Sequence, residues 1–393
     1  MTDLSFIFEW IDHHRGHFDI FEHRDDPRAS MFQRKTFLEV AAALVLAQRA
    51  GAVIPTRLLE FMVSRAESDH FAHLAWRDLK NGLLYVFPQK LVLDFGNSAA
   101  RDRTQSWLAH LAHSRMVYAS ETYPHRYLDF AFSMRMLGQT CAPEFVDALD
   151  LVDLEAPRDL TWIDEGDLYA FTHCVFYAYG LAVEAWALRP NARVNPVNID
   201  LFLCQALGQG NLDGALEVVM CRILARRCLT PIDRDVLAVA HNKMARHGWV
   251  DDSLDLNSGK PFEQSVHTMI VMAFLKSIAL LTRVLVEPTA DDTPRLDHYA
   301  ALGSLAGILR RSDLEAFFNT RDALSFPRAF VSHCPDTLLH RTEADFTAYL
   351  NRMSCHTHRK LDVFGPERAQ GQVIPETYGQ ELYERAFRPG VPA

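Results

Sequence analysis

An imidazole set among phenols is the part of this chain best equipped for chemistry. Tyr169, His173, Phe176, Tyr177 and Gly180 recur at offsets of three or four residues, which puts them on one face of a helix. A histidine in that setting has a tunable pKa. Desolvation favours the neutral ring, whereas a carboxylate brought in from another segment favours the imidazolium. In an enzyme, His173 would act as general acid/base, Tyr169 or Tyr177 would donate to a developing oxyanion, and Asp167 would orient the imidazole. His267, within the apolar stretch 262–285, is a further candidate because a polar ring there needs a partner. The same face also suits a core histidine satisfied by neighbouring hydroxyls and carbonyls, or a groove that binds a peptide or carrier protein without turnover.

The element that must position these residues announces its start. Asp164 is a good N-cap, Glu165 and Asp167 put negative charge in the first turn, and apolar residues then recur with no proline until Pro190. Asp167-Leu168-Tyr169, Thr172-His173 and Phe176-Tyr177 resemble the signature of a poorly characterised bacterial family of helical proteins. In that pattern an acidic residue and a glycine often follow; here Gly180 is kept and the acid is missing. Phe8-Glu9-Trp10-Ile11 and Lys35-Thr36-Phe37-Leu38-Glu39 are similar to the family's opening helices, so the resemblance runs to about residue 325. It implies a helical fold and a role in specialised metabolism, and it names no reaction.

Other constellations carry less. Cys334 with His333 and His340, and Cys355 with His356 and His358, have the ligand types of a zinc site. Cys355-His356 is similar to the Cys-His-Gly of lanthionine cyclases, which are helical toroids, but Thr357 stands where glycine would follow and the upstream cysteine motif is missing. No cofactor is therefore expected, with zinc as the alternative. Asp291-Asp292-Thr293-Pro294 reads as an acidic cap for a following helix. His13 and His17, His70 and His73, and His110 and His113 are spaced three or four apart without the sequence context of a metal site. No Gly-x-Gly-x-x-Gly, Walker loop or Gly-x-Ser-x-Gly occurs, which removes the Rossmann, P-loop and common serine-hydrolase readings.

Composition narrows the partners. With 49% hydrophobic and 23% charged residues, the chain reads as a globular protein. Its formal charge of −10, with Arg226-Arg227 and Arg310-Arg311 only as isolated pairs, argues against nucleic acid. Residues 268–286 are apolar but interrupted by Lys276 and Arg283, so they read as a buried helix with no membrane role. The opening residues lack a basic n-region, and seven cysteines without a Cys-x-x-Cys pair suit a reduced, cytoplasmic protein. A small-molecule or peptide substrate is the expected partner; the oligomeric state is open.

The scaffold reads as all-α. Helical patterns at 35–50, 55–79, 103–118, 124–138, 197–207, 212–227, 231–247 and 262–285 alternate with short Gly/Pro breaks. Residues 83–94 alternate like a strand but contain Pro88, and read as an irregular or helical connection. This cadence predicts an irregular array of antiparallel helical hairpins, closed as an α/α toroid, with an open α-solenoid as the alternative. One large domain spans 1–364, with 152–163 as the stretch where it could divide, and 365–393 form a loosely ordered extension.

Overall fold

The computed structural model describes residues 4–21, 27–77, 85–113, 124–139, 154–156, 158 and 163–286, leaving aside the side chains of 27–30, 76–77, 112–113 and 124–126. The described chain is helical, and the only β feature among the described residues is an isolated bridge between Asn211 and Ser253. It divides into two compact units: Met1–Ala156 with Glu165–Val194 and Gly210–Arg295, and Pro157–Asp164 with Asn195–Gln209 and Leu296–Ala393. The zinc candidates of 333–358, the acidic run at 291–297 and the extension at 365–393 lie outside the described residues.

The first unit contains α1 (Leu4–His13), α2 (Pro27–Arg49), α3 (Thr56–Ala66), α4 (Asp69–Arg77), α5 (Val86–Phe95), α6 (Ser98–His113), α7 (Pro124–Met136) and α8 (Glu165–Ala178). The second unit contributes α9 (Pro196–Gly208), capped by Asn195 accepting from the Val197 N–H. The first unit then resumes with α10 (Leu212–Arg226), α11 (Pro231–His247) and α12 (Phe262–Thr282). Its core is built around α12, which packs against α10, α2 and α1; α10 packs in turn against α8 and α11, and α8 against α7. α12 is long and apolar enough to cross a bilayer, yet 72% of its most apolar window is buried inside this packing.

Several boundaries differ from the pattern. The helix expected over 55–79 is two helices, because the Ser68 hydroxyl accepts from the Phe71 N–H and restarts the chain after Ala66. Residues 86–95 are a helix, since Pro88 sits in the first turn, where its missing N–H is not needed. Of the paired histidines, His73 is exposed and His70 leans on Phe21 at 5.4 Å. His14 stacks on Phe262 at 5.0 Å between ring centroids, whereas His13 and His17 are exposed.

The helix carrying His173 stops well short of Pro190. After Ala178 the chain tightens into 3₁₀ turns at Gly180–Ala182 and Glu184–Trp186. Gly180 has φ +60°, and a Cβ there would lie 2.3 Å from the Ala187 amide nitrogen. Only glycine allows this return.

Candidate functional site

The most unusual chemistry of the first unit starts on α10. Asn211 caps it, accepting from the Gly214 N–H at 2.8 Å, and the first two turns then present Asp213 and Glu217 four residues apart on one face. Every residue from Leu212 to Leu224 is buried, so both carboxylates point into protein. Asp213 benefits from the helix N-terminus, but two like charges at this spacing repel. Nothing in the local helix compensates.

The compensation comes from α12 and α2. His267 Nε2 lies 3.3 Å from Asp213 Oδ2, and its Nδ1 lies 3.1 Å from Glu39 Oε2 on α2. Lys35 Nζ stands 3.6 Å from the other Glu39 oxygen, at the exposed rim. Ligand-type atoms of Asp213, Glu217 and His267 all fall within 4.8 Å of one another. Burial would pull the His267 imidazole down, but the charges of Asp213 and Glu39 and the contacts to both raise it well above the usual range. Burial would likewise raise Glu39, yet the His267 charge and hydrogen bond, helped by Lys35, hold it below its ordinary value. The ring thus lies between two carboxylates, one at each nitrogen.

From α8, the signature residues complete the site. The Tyr169 hydroxyl lies 3.5 Å from Asp213 Oδ2, with Asn211 Nδ2 at 3.5 Å on its other side. Both are long contacts. Thr172 is fully buried, and its hydroxyl oxygen is 2.6 Å from Glu217 Oε2 and 3.2 Å from the Tyr169 carbonyl. Burial, then the Asp213 charge, push Glu217 up to about 8, against the opposing pull of Thr172 and His267. The Thr172 hydroxyl has a single proton, and the shorter contact makes Glu217 Oε2 its main acceptor, with the Tyr169 carbonyl the longer one. Asp213 Oδ1, also buried, has no hydrogen-bond partner. Burial likewise raises the Tyr169 phenol and the Cys221 thiol one turn beyond Glu217.

The five candidate site residues of the sequence are thus distributed unevenly. Tyr169 and His267 meet at Asp213. His173 is half-buried, its ring 6.0 Å from Phe176 and 5.9 Å from Tyr177. Tyr177 turns away toward α7, stacking on Phe132 at 4.9 Å. Asp167 is exposed in the first turn of α8. A pocket of about 310 Å³ lined by Ala66, Ala75, Gln89, Arg103, Thr104 and Trp107 contains none of them.

Residues 5–277 match the model of a family described as a domain of unknown function, DUF6895. The chain belongs to this family. Its DUF6895 stretch takes in every member of the cluster, from Glu39 on α2 to His267 on α12. No curated protein and no solved structure matches the chain.

The three carboxylates that organise the cluster escape a reading centred on histidines. Their signal was present: Glu39 lies in Phe37-Leu38-Glu39-Val40-Ala41, and Asp213 and Glu217 interrupt an otherwise apolar run four residues apart. Acids with apolar residues all round a helix are buried, and buried acids need partners.

Proposed function

We propose that the protein is an enzyme of bacterial specialised metabolism, acting on a biosynthetic intermediate or modified peptide, with its chemistry centred on Asp213, Glu217 and His267. Of the α8 candidates, Tyr169 supplies a phenol at this centre, 3.5 Å from Asp213 Oδ2. The observation that carries the reading is the gathering of three carboxylates and one imidazole from three helices in a single cluster, with Asp213 and Glu217 buried and Glu39 and His267 partly exposed. Such a cluster costs folding energy, and groups held against that cost are characteristic of sites that do chemistry. Its negative balance suits a substrate or bound species carrying positive charge.

We read the helical array as a closed ring, which would enclose a substrate space. In support, α5, α2, α12, α10, α8 and α7 are successive neighbours, and Phe87 of α5 meets Phe132 of α7 at 6.5 Å. We also read the protein as cytoplasmic and without nucleic-acid or membrane partners, on charge and composition.

Deleting the gene from its host and comparing extracts by mass spectrometry would expose the accumulated precursor. Purified protein added to that extract should convert many equivalents per chain. Glu217→Gln and His267→Gln should abolish conversion while His173→Gln retains at least about a tenth of it. Stoichiometric capture without conversion would favour a non-catalytic accessory protein, and loss on His173→Gln alone would move the centre to α8.

A further inference from the structure

We infer that Asp213, Glu217 and His267 form a binding site for one divalent first-row transition-metal ion, with Glu39, Thr172 and Tyr169 as the groups that orient its ligands. This rests on the functional reading of the same cluster and deepens it. The donor set is the first argument: one imidazole nitrogen and two carboxylates, with ligand atoms within 4.8 Å of one another, suits Zn²⁺, Mn²⁺ or Fe²⁺ better than Mg²⁺ or Ca²⁺, which prefer all-oxygen shells. Three protein ligands would leave positions for water or substrate.

The surrounding shell is the second argument. Metal-ligating histidines almost always donate their other ring N–H to a carboxylate, a backbone carbonyl or water. Glu39 stands at that position, 3.1 Å from His267 Nδ1, leaving Nε2 directed at Asp213. Thr172 holds Glu217 Oε2 at 2.6 Å, and Tyr169 approaches Asp213 Oδ2 at 3.5 Å. Each ligand thus has its own orienting group from another helix or another turn.

The third argument is an unpaired atom. Asp213 is 3% exposed, and its Oδ1 has no hydrogen-bond partner, within a carboxylate already turned toward Glu217 and His267. A buried carboxylate oxygen left bare is costly and rare. A cation is the partner that the local excess of negative charge would attract.

The test uses the full chain. Protein dialysed against EDTA and then freed of chelator is titrated calorimetrically with Zn²⁺ and with Mn²⁺, and with Mg²⁺ as the hard-ion control. One equivalent of Zn²⁺ or Mn²⁺ should bind at least about a hundredfold more tightly than Mg²⁺. Asp213→Asn, Glu217→Gln and His267→Gln should each remove that site, Glu39→Gln should weaken it about 10–100-fold, and the surface control Asp252→Asn should leave it intact. If the ligand variants fail to fold, Co²⁺ supplies the same answer: the visible spectrum of its complex with the unmutated protein should differ from that of its complex with Glu39→Gln. Absence of a Zn²⁺ or Mn²⁺ site in the wild type, or unchanged binding in the ligand variants, overturns the inference. Turnover that persists without any metal would overturn it while leaving the functional reading standing; loss of turnover dependence on Glu217 and His267 would remove that reading instead.

Discussion

Two charged sites in the first unit make opposite use of the same ingredients. Lys243 and Asp251 are both about fully buried, joined at 2.6 Å, and every polar atom is spoken for. Lys243 Nζ also donates to the Ser253 and Asp255 carbonyls, and Asp251 accepts from the Ser253 and Lys260 amides and the Ser258 hydroxyl. One charge meets one charge, and the pair pins the loop that follows α11. Around His267, three carboxylates face one imidazole with Lys35 only at the rim, and Asp213 Oδ1 is left bare. The first site is organised for stability. The second holds charge that stability alone would not select.

That contrast can be broken from either side. The largest effect should come from Lys243→Met, which strands a buried carboxylate and should cost about 3–5 kcal/mol in urea unfolding. A loss under 1 kcal/mol would remove the structural role assigned to the pair. Acid should then act through Asp251. Burial would raise its carboxyl, but the Lys243 hydrogen bond, the two amides and the Lys243 charge hold it below the ordinary value. Its folded pKa is thus depressed, so its contribution is complete above about pH 4, the unfolded value. It is lost as pH falls through the lower folded value. Unfolding curves collected from pH 5 downward should show this acid limb in the wild type and a flatter one in Lys243→Met.

Smaller effects should mark the other site. Thr172→Val removes a hydroxyl that bridges Glu217 and the Tyr169 carbonyl, and should cost about 1–2 kcal/mol by thermal denaturation. Tyr169→Phe removes only two 3.5 Å contacts, to Asp213 and Asn211, and should change stability by less than about 0.5 kcal/mol. Any effect of that phenol on conversion of substrate would then be separable from folding.

Much of the scaffold was legible because its punctuation is chemical. Thr230 and Asp233 cap α11, Gly248 ends it with φ +83°, and Asn195 and Asn211 cap α9 and α10. At 83–94 the alternation looks like a strand, but Pro88 spoke against one, and the helical alternative is the one seen, with Pro88 in the first turn of the helix Val86–Phe95. The site was half legible. Tyr169 and His267 announced themselves as polar groups on apolar faces, but which carboxylates they meet depends on α2, α10 and α12 coming together across more than two hundred residues. His173 has the same local signature as His267, and only tertiary packing separates the ring beside Phe176 and Tyr177 from the ring between Glu39 and Asp213.

The most direct test of the central claim is a pair of unfolding free energies, for Glu217→Gln and Lys243→Met, measured in the same neutral buffer with EDTA. If the α10 cluster is held against stability, Glu217→Gln should be more stable than wild type by about 0.5–2 kcal/mol, while Lys243→Met falls steeply. A loss of 1 kcal/mol or more in both variants would contradict the account and make the cluster another structural salt bridge.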